Sequence, residues 1–411
     1  MELGLLGLVC AGAGTLVGCG GRSDNEHVAA GAGSAGIVGS SGGASSASGG
    51  ASSIAGAAAL DCQDLSGAMG PGSFELVFDS PATSIRYLVA RDDGTLVGLR
   101  NRELVVITAD GAVTTGSLEP FDRAFDGEWS DWRLSPRGNA VLATQSSRTA
   151  ILDFRTGEVA VFEPPVESEE RLNLAFSDSG NFVMALFGEL YPERQYEHSL
   201  EVRRLNGEIV TTQPPRERMP FIPATDDTLV WPEDKELVVT DLAGTESFRF
   251  APVGRVNGAF ASADGRSVLV ESGTSVTLLN PSLNWVRPPV ELGEAPMYRA
   301  LSSSGTYIAL ILNRTPGIQQ LYDGSIERPL LTGIVKYSSL AVNSDGVIIA
   351  GGAARDERSL IELLTWQGGL LLSCFGQSDM YQAPAVGFIG GGRRAYALFK
   401  DRLLVFNVTK R

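Results

Sequence analysis

The stretch Phe176-Ser177-Asp178-Ser179-Gly180-Asn181-Phe182-Val183-Met184-Ala185-Leu186 decides the fold. Its first half is a tight turn: Ser, Asp and Asn bond back to their own backbone, and Gly tolerates positive φ. Its second half is an apolar run too short for a helix. Working outward, the same pairing recurs. Turns stand at Asp92-Asp93-Gly94-Thr95, Ser135-Pro136-Arg137-Gly138-Asn139, Thr225-Asp226-Asp227-Thr228 and Ala263-Asp264-Gly265-Arg266. They continue at Ser303-Ser304-Gly305-Thr306, Ser344-Asp345-Gly346 and Gly390-Gly391-Gly392-Arg393. Positions 94, 138, 180, 227, 265, 305, 346 and 391 are separated by 44, 42, 47, 38, 40, 41 and 45 residues. A period of about 42 residues is that of a four-stranded propeller blade.

A second beat follows each turn, at Gly111, Gly157, Gly207, Gly244, Ser282, Gly324 and Gly368. Between the beats lie strand-like runs such as Thr95–Leu99 and Leu104–Thr108, or Phe182–Leu186 and Leu200–Arg204. No window keeps a period of about 3.6 residues, so helix should be nearly absent. A β-sandwich would not repeat one unit eight times at fixed phase. The expected fold is therefore all-β: an eight-bladed β-propeller, or a seven-bladed one if the weak unit around Thr225–Thr228 is irregular. The last unit supplies only three strands, Ala385–Ile389, Ala395–Phe399 and Leu403–Val408. The unclaimed Phe74–Phe78 is expected to complete it as the outer strand, closing the ring and removing open sheet edges.

Phe176-Ser177-Asp178-Ser179-Gly180-Asn181-Phe182-Val183 and Leu134-Ser135-Pro136-Arg137-Gly138-Asn139 resemble the F-S-P-D-G-K-x-I-A-F repeat of TolB-type WD40-like propellers. The resemblance spans residues 74–411 and implies fold, not function. The Gly-His…Trp-Asp signature of true WD40 repeats is absent, and so is the sialidase Asp-box.

Ahead of the repeats, residues 1–19 read as a secretion signal. Leu3 to Val17 is apolar but shorter than a membrane-spanning helix requires. Leu16-Val17-Gly18-Cys19 resembles the bacterial lipobox, which implies cleavage before Cys19 and lipidation of its sulfur. The Met1-Glu2 start carries no Lys or Arg, a departure from the signal pattern. Residues 20–60 are rich in Gly, Ser and Ala and lack the bulk to fold. As a flexible coil this tether has an end-to-end distance of roughly 35 Å. The propeller is assigned to residues 61–411. The expected address is export with a lipid anchor, the outer membrane favoured, the propeller in the periplasm or at the cell surface. Lipid attachment is then the membrane contact.

Of four cysteines, Cys10 leaves with the signal and Cys19 is lipidated on this reading, leaving Cys62 and Cys374. Ring closure should bring them near each other. A disulfide across so long a loop would contribute about 5 kcal/mol in the chain-entropy model and needs an oxidising compartment. Two buried thiols are the other reading.

Candidate recognition residues fall on insertions. Gly188–His198 lengthens the third unit, Ala354–Ser359 the seventh, and Phe121–Trp132 joins the first two. Second-to-third-strand loops and blade connections emerge on one face. Phe121, Phe125, Trp129, Trp132, Tyr191, Glu193, Arg194, Tyr196 and His198 are thus expected to form a binding rim. The competing reading is that they cap that face and bury themselves.

Catalytic constellations are poor. The histidines are His27 in the tether and His198, with no nucleophile elbow nearby. That leaves no catalytic, cofactor-binding or metal-binding residues to assign. The acidic turns read as hairpin closers rather than cation or hydrolase sites. The chain carries −15 overall, which repels phosphate backbones and argues against nucleic acid. The expectation is a monomeric envelope platform binding a protein, glycan or other ligand. The alternative is an exported lactonase- or glycosidase-like enzyme using channel carboxylates.

Overall fold

In the computed structural model the described residues are 61–64 and 74–408. Stretches 82–84, 101–102, 125–128, 146–147, 166–169, 191–194, 215, 217, 316–317, 324–330, 334–335, 354–357, 366–369, 378–383 and 400–401 are excepted. The signal, the tether and Cys19 lie outside them. The described residues form a β-propeller made of strands and turns, with one six-residue α-helix and one 3-10 turn among them.

The described strands form antiparallel sheets numbered here along the chain. Sheet 1 runs over Arg86–Ala90, Leu96–Arg100, Glu103–Ile107 and Val113–Ser117. Sheet 2 has Ser130–Leu134, Ala140–Gln145, Arg148–Asp153 and Val159–Phe162; sheet 3 has Glu170–Phe176, Phe182–Leu190, Gln195–Arg204 and Ile209–Gln213. Sheet 4 has Thr228–Pro232, Leu237–Asp241 and Glu246–Phe250. Sheet 5 is Val256–Ala261, Val268–Ser272, Ser275–Asn280 and a split outer strand, Trp285–Val286 with Val290–Glu291. Sheet 6 holds Tyr298–Leu301, Ile308–Thr315, Ile318–Asp323 and Leu331–Gly333. Sheet 7 holds Lys336–Val342, Val347–Ala353, Arg358–Thr365 and Leu370–Gln377, with Asp61–Asp64 added outside. Sheet 8 is Ala385–Ile389, Arg394–Leu398 and Arg402–Val408, completed by Phe74–Pro81. That last pairing, Phe74↔Val408 through Pro81↔Arg402, is the predicted closure.

The apolar runs are continuous because each sheet is buried on both faces. Successive side chains of a strand point to opposite faces. Val183, Ala185 and Phe187 therefore pack towards sheet 2, while Phe182, Met184 and Leu186 pack towards sheet 4. Every gap between neighbouring sheets holds such a cluster, and the cycle closes between sheets 8 and 1 through Leu403, Val405, Leu96 and Ile107. Burying a side chain of this size stabilises the fold by about 1.5–3 kcal/mol, so the core is spread around the ring.

The expectation of an eight-bladed propeller needs a correction: the structure has seven full blades, as in the seven-bladed alternative. Among the described residues seven sheets carry at least four strands and are full blades; sheet 4, around the weak unit, has three. Ahead of it the sequence reads Pro214-Pro215-Arg216-Glu217-Arg218-Met219-Pro220-Phe221-Ile222-Pro223, and among the described residues Phe221 alone bridges its edge. Four prolines remove ladder donors and fix φ. What survives is one bridge: Phe221 N–H donates to Val230 O at 3.0 Å and Val230 N–H to Phe221 O at 2.9 Å. The turn there lacks glycine, and Asp226 takes the left-handed conformation, φ 60°.

The hairpin closers are buried hydroxyls one position from some of the expected ones. Ser135, Ser177, Ser262 and Ser302 are almost fully buried. Each hydroxyl oxygen accepts from the backbone N–H five residues on, at 3.0 to 3.1 Å. Asn343 substitutes in sheet 7, accepting from Val347 N–H at 2.8 Å.

Candidate functional site at the channel mouth

Each sheet turns from its inner to its second strand on one face, and those turns converge on the axis. All but that of sheet 4 contribute to the lining of a cavity of ≈430 Å³. Its charged lining is Arg91, Asp92, Arg137, Asp178, Asp264 and Arg299; Phe260 and Phe388 supply half-buried rings.

Arg137 spans this mouth. Its Nη1 donates to Asp92 Oδ1 at 2.9 Å on the sheet 1 turn, and its Nη2 donates to Ala263 O at 2.8 Å on the sheet 5 turn. Arg91 Nε donates to Gly138 O at 2.9 Å, tying the first two turns. Asp264 N–H donates to Ser303 O at 3.0 Å, and the Ser303 and Ser344 hydroxyls are hydrogen-bonded. Asn343 Nδ2 donates to Gly392 O at 2.9 Å. Asn181 Nδ2 donates to Asp226 Oδ2 at 2.7 Å. These links run from turn to turn, so the mouth is held by the rigid ring.

Deeper, Arg299 reaches from sheet 6 over sheet 5. Its guanidinium lies 4.0 Å from the Phe260 ring centroid, and its Nε is 2.8 Å from Glu271 Oε1. Their side chains are 13% and 7% exposed. Gly258 lies across from Glu271 in the ladder. A Cβ there would come 3.1 Å from the Phe260 ring. The pair is thus seated in space a bare glycine leaves, and it presents a cation–π stack to the cavity wall.

Asp92 and Asp264 at the mouth, and Asp93 beside them, have structural duties. Asp264 Oδ1 accepts from Ser262 Oγ at 2.5 Å and from Arg266 N–H at 3.0 Å. Asp92 is committed to Arg137. Next to it, Asp93 accepts from Thr95 N–H at 2.9 Å and its hydroxyl at 2.7 Å. Burial opposes ionisation of Asp93, but these bonds and nearby Arg91 prevail and lower its pKa. Among the described residues no group of three or more His, Cys, Asp or Glu is placed to hold a metal ion.

The opposite face carries Phe121, Trp129 and Trp132, three of the residues expected to form a rim. Phe121 is 0% exposed and Trp129 4%. Phe121 sits on a six-residue helix, Glu119–Ala124, its ring edge-on to Trp129 at 5.8 Å and to Trp132 at 5.0 Å. Trp129 Nε1 donates to Phe121 O and Trp132 Nε1 to Trp129 O, both at 3.2 Å. Phe121 and Trp129 therefore bury themselves between sheets 1 and 2 as a cap, and Trp132 is half-buried against them. The insertion expected as a loop over 188–198 is mostly a longer hairpin: Glu189↔Tyr196 and Leu190↔Gln195 continue the ladder, and His198 falls at a β-bulge. Phe125, Tyr191, Glu193 and Arg194 lie outside the described residues.

Two non-glycine residues near this second opening take left-handed φ, Tyr87 at 54° and Asp131 at 48°, each within a β-bulge of an inner strand. Arg171 lies close to Asp131 and Arg133; burial lowers its pKa against the pull of Asp131.

Sequence reasoning missed Arg91, Arg137, Arg299, Phe260 and Phe388. A signal was present: Arg91 and Arg137 flank turns that a meander must bring to one face. Phe260 and Arg299 fall at inner-strand positions whose partners lie in neighbouring blades, and spacing within one repeat does not reveal those. Among the described residues no helix is long and apolar enough to cross a membrane. No family model matches the chain, and no curated protein matches it.

Proposed function

We propose that this chain is an exported, lipid-anchored propeller that binds its ligand or partner at the mouth of its central channel. One observation carries the reading: guanidinium, carboxylate and aromatic groups from several blades converge on a cavity of ≈430 Å³. That size and mixture suit a small polar ligand or an inserted peptide or glycan end. The buried aromatics of the opposite face support this choice of end. The lipobox and the Gly/Ser/Ala stretch support the anchor, with the propeller presented in the cell envelope. The hydrolase alternative gains little, because Asp92 and Asp264 are engaged in an ion pair and a turn closure.

The test is capture of envelope glycans and proteins on the immobilised full chain, beside two variants. Ala263→Trp fills the mouth. A Gly-Gly replacement of residues 191–194 alters the tip of the long hairpin. Retention abolished by Ala263→Trp and kept by the tip variant is the expected result. The reverse pattern, or no retention by the unaltered chain, overturns the assignment of the mouth.

A further inference from the structure

The backbone places two cysteines 312 positions apart directly opposite each other. Asp61–Asp64 runs antiparallel to Leu370–Gln377 in the register Asp61↔Phe375, Cys62↔Cys374, Gln63↔Ser373 and Asp64↔Leu372. Directly opposed residues of an antiparallel pair have Cα atoms about 4.5 or 5.5 Å apart, depending on the type of site. A disulfide requires a Cα separation of about 4.4–6.8 Å. Either type of site meets that requirement without moving the backbone.

The location adds a reason for the bond. Among the described residues Asp61–Asp64 is a four-residue edge strand paired on one side only. Four residue pairs at a sheet edge form a segment that opens easily by itself. The chain then continues to Phe74–Pro81, which belongs to the next sheet. Residues 61–64 and 74–81 thus pair with two blades in succession, and the first attachment is the shorter.

We propose that Cys62 and Cys374 form an intramolecular disulfide that fastens the propeller's N-terminal strand to the outer edge of sheet 7, making residues 61–81 a clasp over two blades. This goes beyond the ligand-binding reading and stands without it. In the chemistry, one thiolate attacks the disulfide of an oxidised dithiol donor and forms a mixed disulfide. The other cysteine's thiolate then displaces the donor. The donor leaves as its dithiol, carrying the two electrons and the two protons that the cysteine thiols give up. The consequence is mechanical. Tension on the chain ahead of Cys62 enters Leu370–Gln377, a strand laddered on its other side to Arg358–Thr365, rather than unzipping four residue pairs.

The first measurement is peptide mapping of the full chain, purified from membranes with free thiols alkylated at lysis. A linked peptide pair containing Cys62 and Cys374, lost on reduction, is expected. In parallel, the fully reduced chain is treated with oxidised glutathione. The same linked pair should form, and Cys62→Ser should instead leave Cys374 as a glutathione mixed disulfide. No linked pair in the glutathione arm overturns the proposal. A pair formed there but absent from cells supports the pairing and overturns export to an oxidising compartment. Hydrogen exchange tests the clasp: reduction should speed exchange at 61–64 by about tenfold or more and leave 74–81 unchanged. Equal exchange at 61–64 in both redox states overturns the clasp.

Discussion

Replacing Phe121 separates a cap from a recognition rim. The ring is fully buried and packs edge-on against two indoles. The helix carrying it closes the gap between sheets 1 and 2. Phe121→Ala removes a large side chain from a site that a six-residue helix cannot refill without moving. Truncations of this kind cost about 3–5 kcal/mol, which includes roughly 0.5–1.5 kcal/mol for the aromatic pairs. Taking about 4 kcal/mol and a urea m-value of about 3 kcal/mol/M, the unfolding midpoint should fall by roughly 1.3 M. The assay is equilibrium urea unfolding followed by tryptophan fluorescence, since Trp129 and Trp132 report on the same gap. Phe121→Leu keeps most of the volume and should recover more than half the loss. Envelope capture by Phe121→Leu should match that of the unaltered chain. A midpoint change below about 0.3 M for Phe121→Ala, under about 1 kcal/mol, would refute the cap. So would loss of capture in Phe121→Leu at unchanged stability.

Three further outcomes follow from the same geometry. Gly180→Ala should cost more than Gly157→Ala, although both glycines have φ near 74°. A Cβ at Gly180 would lie 2.5 Å from Asn139 Oδ1 and 2.9 Å from Ser135 Cβ, whereas at Gly157 it meets nothing within 4 Å. The strain common to both is about 1–2 kcal/mol, and equal urea midpoints would show that the turns do not nest. Ser262→Ala removes a buried acceptor from Ser267 N–H and should cost about 1–3 kcal/mol; with Ser135→Ala, in another blade, the losses should add within about 0.5 kcal/mol. Glu362, which accepts from the Tyr337 hydroxyl at 2.5 Å, has its pKa raised by burial, against the lowering effect of that bond. A carboxyl raised in the folded state contributes fully below its unfolded pKa of about 4.3, and the contribution is lost as pH rises through the folded value. Stability should therefore fall over that window in the unaltered chain and fall less in Glu362→Gln; parallel pH profiles would remove Glu362 as the cause.

The repeat was legible because its signal is local. A turn must supply positive φ and a short acceptor within five residues, and strands buried on both faces must read as unbroken apolar runs. Ser177, Gly180 and Phe182–Leu186 meet both demands in one stretch of chain. The closure by Phe74–Pro81 was legible by counting, since the last unit lacked a strand. Sheet 4 marks where local reading weakens. Its turn carried acidic residues in the right phase, but the sequence ahead of it is rich in proline, and among the described residues a single bridge at Phe221 stands in place of an inner strand.

The lining of the cavity was not legible in the sequence for a related reason. Insertions and exposed-looking aromatics are visible in one dimension, whereas a cavity on a propeller axis is made by residues contributed singly by several blades. Phe121, Trp129 and Trp132 looked like a surface cluster because they crowd one connection. That crowding lets them satisfy one another: two indole N–H groups find carbonyls three and eight residues away, and the rings fill one gap. Arg137 looked like an ordinary turn residue, yet it bonds across the axis to a residue 126 positions away. A ring converts equal phase along the sequence into proximity at its centre. Residues within two positions of the turn glycine, Asp92, Arg137, Asp178, Asp264, Ser303 and Ser344, therefore meet around one cavity although whole repeats separate them along the chain.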